Sequence, residues 1–148
     1  MLKNSQIPIW VSILQLLLTL IMLQQVYLFV FDHQAVAASG ITTQGTANLN
    51  LLYEFAGRTF VMAAASIFVL VTQNPRYFLV ILGMNVLREG AETIIDPLYP
   101  LVNAPMSPTA DFIAHIVIVL IEIWAFVTVL KIVRAMDKSA VRTDADPS

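Results

Sequence analysis

The side chains able to do chemistry in this chain are few, and most lie inside apolar stretches. Glu54 and Arg58 open one such stretch, and Asn85, Arg88, Glu89 and Glu92 close another. Asp111, His115 and Glu122 begin a third. Carboxylates, guanidinium groups and an imidazole can bind a cation, carry a proton or hold a charged ligand. In lipid each ionisable group costs about 2.5–3.5 kcal/mol at the centre of a span, so such groups face the protein interior and find partners. Glu54 and Arg58 are four residues apart, as are Arg88 and Glu92, a spacing that stacks the pair on one helix face. At helical periodicity Asn85, Arg88, Glu89, Glu92 and Asp96 fall within roughly a 100° arc. Asp111, His115 and Glu122 fall within roughly 40° of one another. Arg58 and Arg88 are outnumbered by Glu54, Glu89, Glu92 and Glu122, before Asp96 and Asp111 are counted. Like charges crowded in low dielectric cannot all stay ionised. Some carboxylates hold protons, or His115 is protonated, or a cation fills the site. Glu122 stands most alone, among Ile121, Ile123 and Trp124.

The elements that position these residues follow from composition. The chain has 148 residues, 58% hydrophobic and 12% charged, against about 25% charged for a soluble domain. That excludes a soluble fold of this size and a disordered chain, and it defines an all-α integral membrane protein. Four segments are long enough to cross the hydrocarbon as helices: Pro8–Phe31, Leu52–Thr72, Tyr77–Ile95 and Phe112–Val133. They form one domain over 1–136, a four-helix bundle, followed by a polar cytoplasmic tail over 137–148. Gln73-Asn74-Pro75-Arg76 reads as a tight turn, and Asp96-Pro97 and Tyr99-Pro100 as stops. Pro105 and Pro108 keep the next connection out of helix, and Ser107 or Thr109 can cap the fourth helix.

Lys3, Arg76, Lys131, Arg134, Lys138 and Arg142 fall on one side of such a bundle, and the connections 32–51 and 97–110 carry no lysine or arginine. The positive-inside rule then puts both termini in the cytoplasm. With that orientation the ionisable groups of all four segments gather toward the outer leaflet, apart from Lys131. The expectation is a polar pocket open to the extracytoplasmic side, above an inner half sealed by Val, Ile, Leu and Phe. A competing reading takes Lys3, the first apolar run and Ala35-Val36-Ala37 as a signal peptide with its cleavage site, but the run is longer than the usual 7–15 residues.

Blander readings stand beside the functional one. The Arg58 and Arg88 pairs can pin helices in register, and Gln24 and Gln25 can bond between helices. Ala63-Ala64-Ala65-Ser66 reads as close packing, and Trp10, Tyr27, Tyr53, Tyr77 and Tyr99 as an interfacial belt. The absence of cysteine removes thiolate catalysis, disulfide exchange and cysteine metal sites. No glycine-rich phosphate loop is present, no nucleophile completes a Ser/His/Asp set, and a net charge of −2 makes no case for nucleic acid. His33 and His115 are the only candidate haem ligands. Glu89, Glu92, His115 and Glu122 are suitable metal-ligand types, yet the Glu-x-x-His motif of di-iron bundles is missing. No cofactor is assigned on this basis.

The run Glu54-Phe55-Ala56-Gly57-Arg58, the Pro75-Arg76 turn, Arg88-Glu89-Gly90-Ala91-Glu92 and a last helix with the single acid Glu122 resemble the DoxX-like group of small four-helix bacterial membrane proteins. The resemblance covers about half of the chain. It implies a four-helix bundle in the bacterial cytoplasmic membrane, in a group sometimes linked to membrane oxidoreductase complexes or quinone chemistry; the lack of cysteine counts against a thiol-based role. Small multidrug transporters carry their intramembrane glutamate in the first helix, where this chain has none. The expected function is therefore a non-enzymatic subunit or ligand-binding module in the lipid bilayer, partnered by other membrane subunits or by copies of itself. A proton- or cation-coupled transporter and a quinone-binding redox subunit stay open as alternatives.

Overall fold

The computed structural model describes residues 7–100, 103 and 106–144, with side chains through Ala140. The described residues form α1 (Ile9–Phe31), α2 (His33–Ala38), α3 (Thr46–Thr72), α4 (Pro75–Leu98) and α5 (Pro108–Asp144), with no strand among them. Lys3 and Pro105 lie outside the described residues.

Three helices are long and apolar enough to cross a bilayer: Ile9–Phe31, Thr46–Thr72 and, within α5, Pro108–Ala140, with mean hydropathies of 2.0, 1.7 and 2.6. This is the architecture of a multi-pass membrane protein. Their outward faces are apolar; on α3, for example, Val61 is 65% and Val71 78% exposed. In water such a continuous apolar surface would drive association; in lipid it is solvated. The 24-residue α4 has the length of a span, but Arg88, Glu89, Glu92 and Asp96 make its second half polar.

Local signals explain most helix ends. Asp32 ends α1, and its side chain accepts from the Ala35 amide at 3.0 Å, capping α2. Gly45 precedes α3 with φ +84, a conformation that favours glycine. Gln73 terminates α3 in the left-handed region, and its Nε2 donates to the Leu70 carbonyl at 2.6 Å. The Asn74 side chain accepts from the Arg76 amide at 3.0 Å, and Pro75 supplies a preset φ at the first position of α4. The expected tight turn is thus two residues long. Ser107, one of the two expected caps, accepts from the Ala110 amide at 3.3 Å.

Four boundaries differ from expectation. The α3 helix begins at Thr46 rather than Leu52, because Thr46–Leu51 form one uncharged, helix-compatible run behind the Gly45 cap. The connection expected over 32–51 also contains α2. The α4 helix passes through Pro97 to Leu98: in the last turn a proline removes only one hydrogen bond, so it does not stop the chain at Asp96. The α5 helix continues to Asp144, so the segment expected to be a polar tail from 137 is helical for its first eight residues. Helix-favouring Ala, Met, Lys and Arg residues carry it onward, and Asp137 is held by Arg76 of α4 at 2.5 Å.

The long helices pack as two antiparallel pairs. Along α1 and α3, Ser12 bonds Gln73, Gln15 bonds Ser66, and Phe29 meets Phe55 edge-on at 5.2 Å. Along α4 and α5, Arg76 meets Asp137 at one end and Asp96 meets His115 at the other. All four helices share one apolar core at the end nearest the 73–74 turn. It comprises Ile7 and Val11, Val69, Phe78, Ile81 and Leu82, and Ala125, Val129 and Val133. Trp10 closes on Trp124 with ring centroids 4.9 Å apart. This core lies at the opposite end of α4 and α5 from Asp96 and His115.

Candidate functional site

The α4 helix places Asn85, Arg88, Glu89, Glu92 and Asp96 along one side, and α5 runs antiparallel beside it with Asp111, His115 and Glu122. His115 lies among acidic groups. Its Nδ1 is 3.2 Å from Glu89 Oε2, while its Nε2 is 3.2 Å from Asp96 Oδ2 and 3.8 Å from Asp111 Oδ1. Arg88 pairs closely with Glu89 through Oε1, and its Nε lies 4.0 Å from Glu92. Glu89 is 5% exposed, so this carboxylate is held by Arg88 on one oxygen and faces His115 with the other.

Glu122 lies deeper. Two helical turns separate it from His115, about 10 Å along the axis. It is fully buried, and neither carboxylate oxygen has a hydrogen-bond partner. Beside it in depth, Asn85 Nδ2 donates to Gln15 Oε1 at 3.1 Å, and Gln15 Nε2 donates to Ser66 Oγ at 3.0 Å. Asn85 Oδ1 is buried without a partner. A polar layer therefore crosses α4, α1 and α3 directly above the apolar core.

Of the residues singled out by sequence, Asn85, Arg88, Glu89, Glu92, His115 and Glu122 converge on the α4–α5 side. Glu54 and Arg58 do not join that cluster. They pair with each other at 2.9 Å, with side chains 51% and 80% exposed, and Asn50 Nδ2 donates to Glu54. Arg58 instead lines a separate cavity of about 430 Å³ between α3 and α4, walled by Phe55, Met62, Met84 and Leu87 and reached by Arg88 and Glu92.

The glutamine expectation is corrected. Gln24 is exposed, and Gln25 leaves a buried Oε1 without a hydrogen-bond partner. The interhelical bonds belong to Gln15, which sequence reasoning passed over. Its signal was available: Val11, Gln15, Leu18, Thr19 and Met22 form the buried stripe of α1 at helical spacing. Ser66 accepts one of those bonds, while Ala63 beside it is simply buried packing. Trp10 packs against Trp124, while the four tyrosines are about half exposed or more.

Two sets of side chains have the composition of metal ligands. The ligand atoms of Glu89, Glu92 and His115 lie within 4.8 Å of one another, and so do those of Asp96, Asp111 and His115. His33 is engaged elsewhere, with its Nε2 3.5 Å from the Tyr53 hydroxyl. Comparison with protein-family models, curated proteins and solved structures gave no match.

Proposed function

We propose that this chain is a four-helix bundle with both termini in the cytoplasm, which binds a small charged ligand between α4 and α5 from the extracytoplasmic side. The observation that carries this reading is the convergence of Glu89, Asp96 and Asp111 on His115 at one end of the helices, with buried Glu122 below them. Two residues separate α3 from α4, and α4 runs antiparallel to α5, so α4 returns across the bilayer as the fourth span. Its polar residues face α5 and escape the lipid, which accounts for a span of low apolarity. Arg76, Lys131, Arg134 and Lys138 lie at the opposite end of α4 and α5, as the positive-inside rule requires of a cytoplasmic face.

The apolar core beneath Asn85 and Gln15 favours a binding module over a transporter, because it sets packed Val11, Val69, Phe78, Leu82 and Val129 between the polar cluster and the 73–74 turn. A non-enzymatic subunit of the bacterial cytoplasmic membrane, similar to the DoxX-like group, is the corresponding biological setting. The cavity lined by Arg58 and Arg88 is the place for the quinone-type alternative, since its walls are apolar and two arginines, with Glu92, supply its charged groups.

The absence of cysteine makes the topology directly testable. Single Gln44→Cys and Asn103→Cys variants should react with a membrane-impermeant maleimide in intact cells, and Lys138→Cys only after permeabilisation. The reverse pattern, or opposite sidedness for Gln44 and Asn103, overturns the reading.

A further inference from the structure

We propose that the cleft between α3 and α4 binds one phospholipid, with its phosphate on Arg58 and an acyl chain between Phe55, Met62, Met84 and Leu87. The proposal goes beyond the ligand-binding reading above and shares with it only the direction of the chain in the bilayer.

The cleft follows from how the helices pair. α3 packs along α1 and α4 along α5, and α3 touches α4 far less than either touches its own partner. The gap holds a cavity of about 430 Å³, the size of a small-molecule site. Leu87 on its wall is 77% exposed, and Phe55 and Met84 are about half exposed, so the cleft opens sideways. In a bilayer that opening faces lipid.

The order of groups along the cleft is that of a phospholipid. Arg58 and Arg88 lie at about the same distance from the 73–74 turn, one on each helix. Met62 and Met84 each lie one turn nearer that turn, so the charged groups stand above apolar walls. Arg58 is two turns inside Leu51, where α3 becomes apolar, about 10 Å along the axis. An arginine at that depth extends its head toward the headgroups. Its Nη2 already reaches back one turn to Glu54 at 2.9 Å.

Arg58 also has donors to spare. A guanidinium carries five N–H donors. The bond to Glu54 is the only hydrogen bond of Arg58 among the described residues, and its side chain is 80% exposed. Arg88, by contrast, is held by Glu89 and lies beside Glu92. A phosphodiester presents oxygens that match the guanidinium fork, and basic pockets between membrane helices bind phospholipid headgroups. An amphiphile without phosphate fills the apolar walls but leaves these donors unmet. Glu54 competes with the phosphate for Arg58, which gives the test a sign.

The test is native mass spectrometry of the full chain in detergent, titrated with phosphatidylglycerol and, separately, with diacylglycerol. The expected result is one phosphatidylglycerol per chain, retained under activation that strips diacylglycerol. Arg58→Gln should weaken binding about tenfold or more, and so should Met84→Trp, which fills the cavity with Arg58 in place. Glu54→Gln should tighten binding, by up to about fivefold; an ion pair that served only α3 would give no such gain. Arg76→Gln, at the other end of α4, should leave binding unchanged. Thermal unfolding of each variant establishes that it is folded. Equal retention of the two lipids, unchanged affinity in folded Arg58→Gln and Met84→Trp, a lipid-free dimer, or a phosphate-free molecule that phosphatidylglycerol cannot displace overturns the proposal. If phosphatidylglycerol fails to bind while the maleimide pattern holds, this inference falls and the topology stands. If it binds while that pattern is reversed, the lipid site stands and belongs to the inner leaflet.

Discussion

Glu122 concentrates the energetic problem of this molecule in one carboxylate. Buried polar groups normally have partners, and its two oxygens have none. Glu122→Met, apolar and of similar volume, removes that liability. It should raise the thermal midpoint, by a stabilisation of about 1 kcal/mol or more. A lower midpoint in the variant would show that the carboxylate is satisfied in the folded state. Gln15 presents the opposite case. Gln15→Leu strands Asn85 Nδ2 and leaves Ser66 without its donor, and should cost about 1 kcal/mol, the scale of interhelical hydrogen bonds in membranes. A Gln15/Asn85 double-mutant cycle in a reversible unfolding assay measures the coupling, and additivity would contradict it. Sequence made Glu122 legible through its isolation among apolar neighbours. It did not reveal Gln15, because one amide in an apolar run has no partner until tertiary packing supplies Ser66 and Asn85.

At the scale of elements, the α4–α5 pair positions most of the site, and Gly83 lies in its seam against Phe126. A Cβ there would sit 3.4 Å from the Phe126 ring, an ordinary contact, so alanine is tolerated and a longer side chain is not. Gly83→Leu should lower the unfolding midpoint by the equivalent of about 1–3 kcal/mol, as overpacking does. Gly57→Leu, where the added Cβ meets nothing within 4 Å, should leave it nearly unchanged. Equal effects of the two would remove the packing role of Gly83. Apolar runs and turn residues made the spans and the Gln73–Arg76 turn legible. The extensions at Thr46, Leu98 and Asp144 were hidden for local reasons. A polar first turn, a proline in a last turn and a charged helical tail each look like loop when read by hydropathy alone. The Glu54–Arg58 pair shows the converse limit: its spacing correctly gave an ion pair, but spacing within one helix does not say which neighbour that face meets.

Across the whole molecule, charge separates into two populations. Basic side chains mark the end with the 73–74 turn and the late part of α5, and the acidic cluster with Arg88 and His115 occupies the other end of α4 and α5. Between them lies the apolar core of Val11, Phe78, Leu82 and Val129. The polarity of the two ends was readable from sequence because the connections 32–51 and 97–110 lack lysine and arginine. The placing of His115 above buried Glu122 along α4 was not, since it depends on which faces of α4 and α5 meet. Reactivity at successive depths tests the central claim most directly, in single-cysteine variants of this cysteine-free chain treated in intact cells with a membrane-impermeant thiosulfonate. A site open to the extracytoplasmic side predicts that Asp96→Cys reacts rapidly, Glu92→Cys more slowly, and Gln15→Cys, beside the apolar core, not at all. Modification of Asp96→Cys and Glu92→Cys only after the cytoplasmic side is exposed would contradict it.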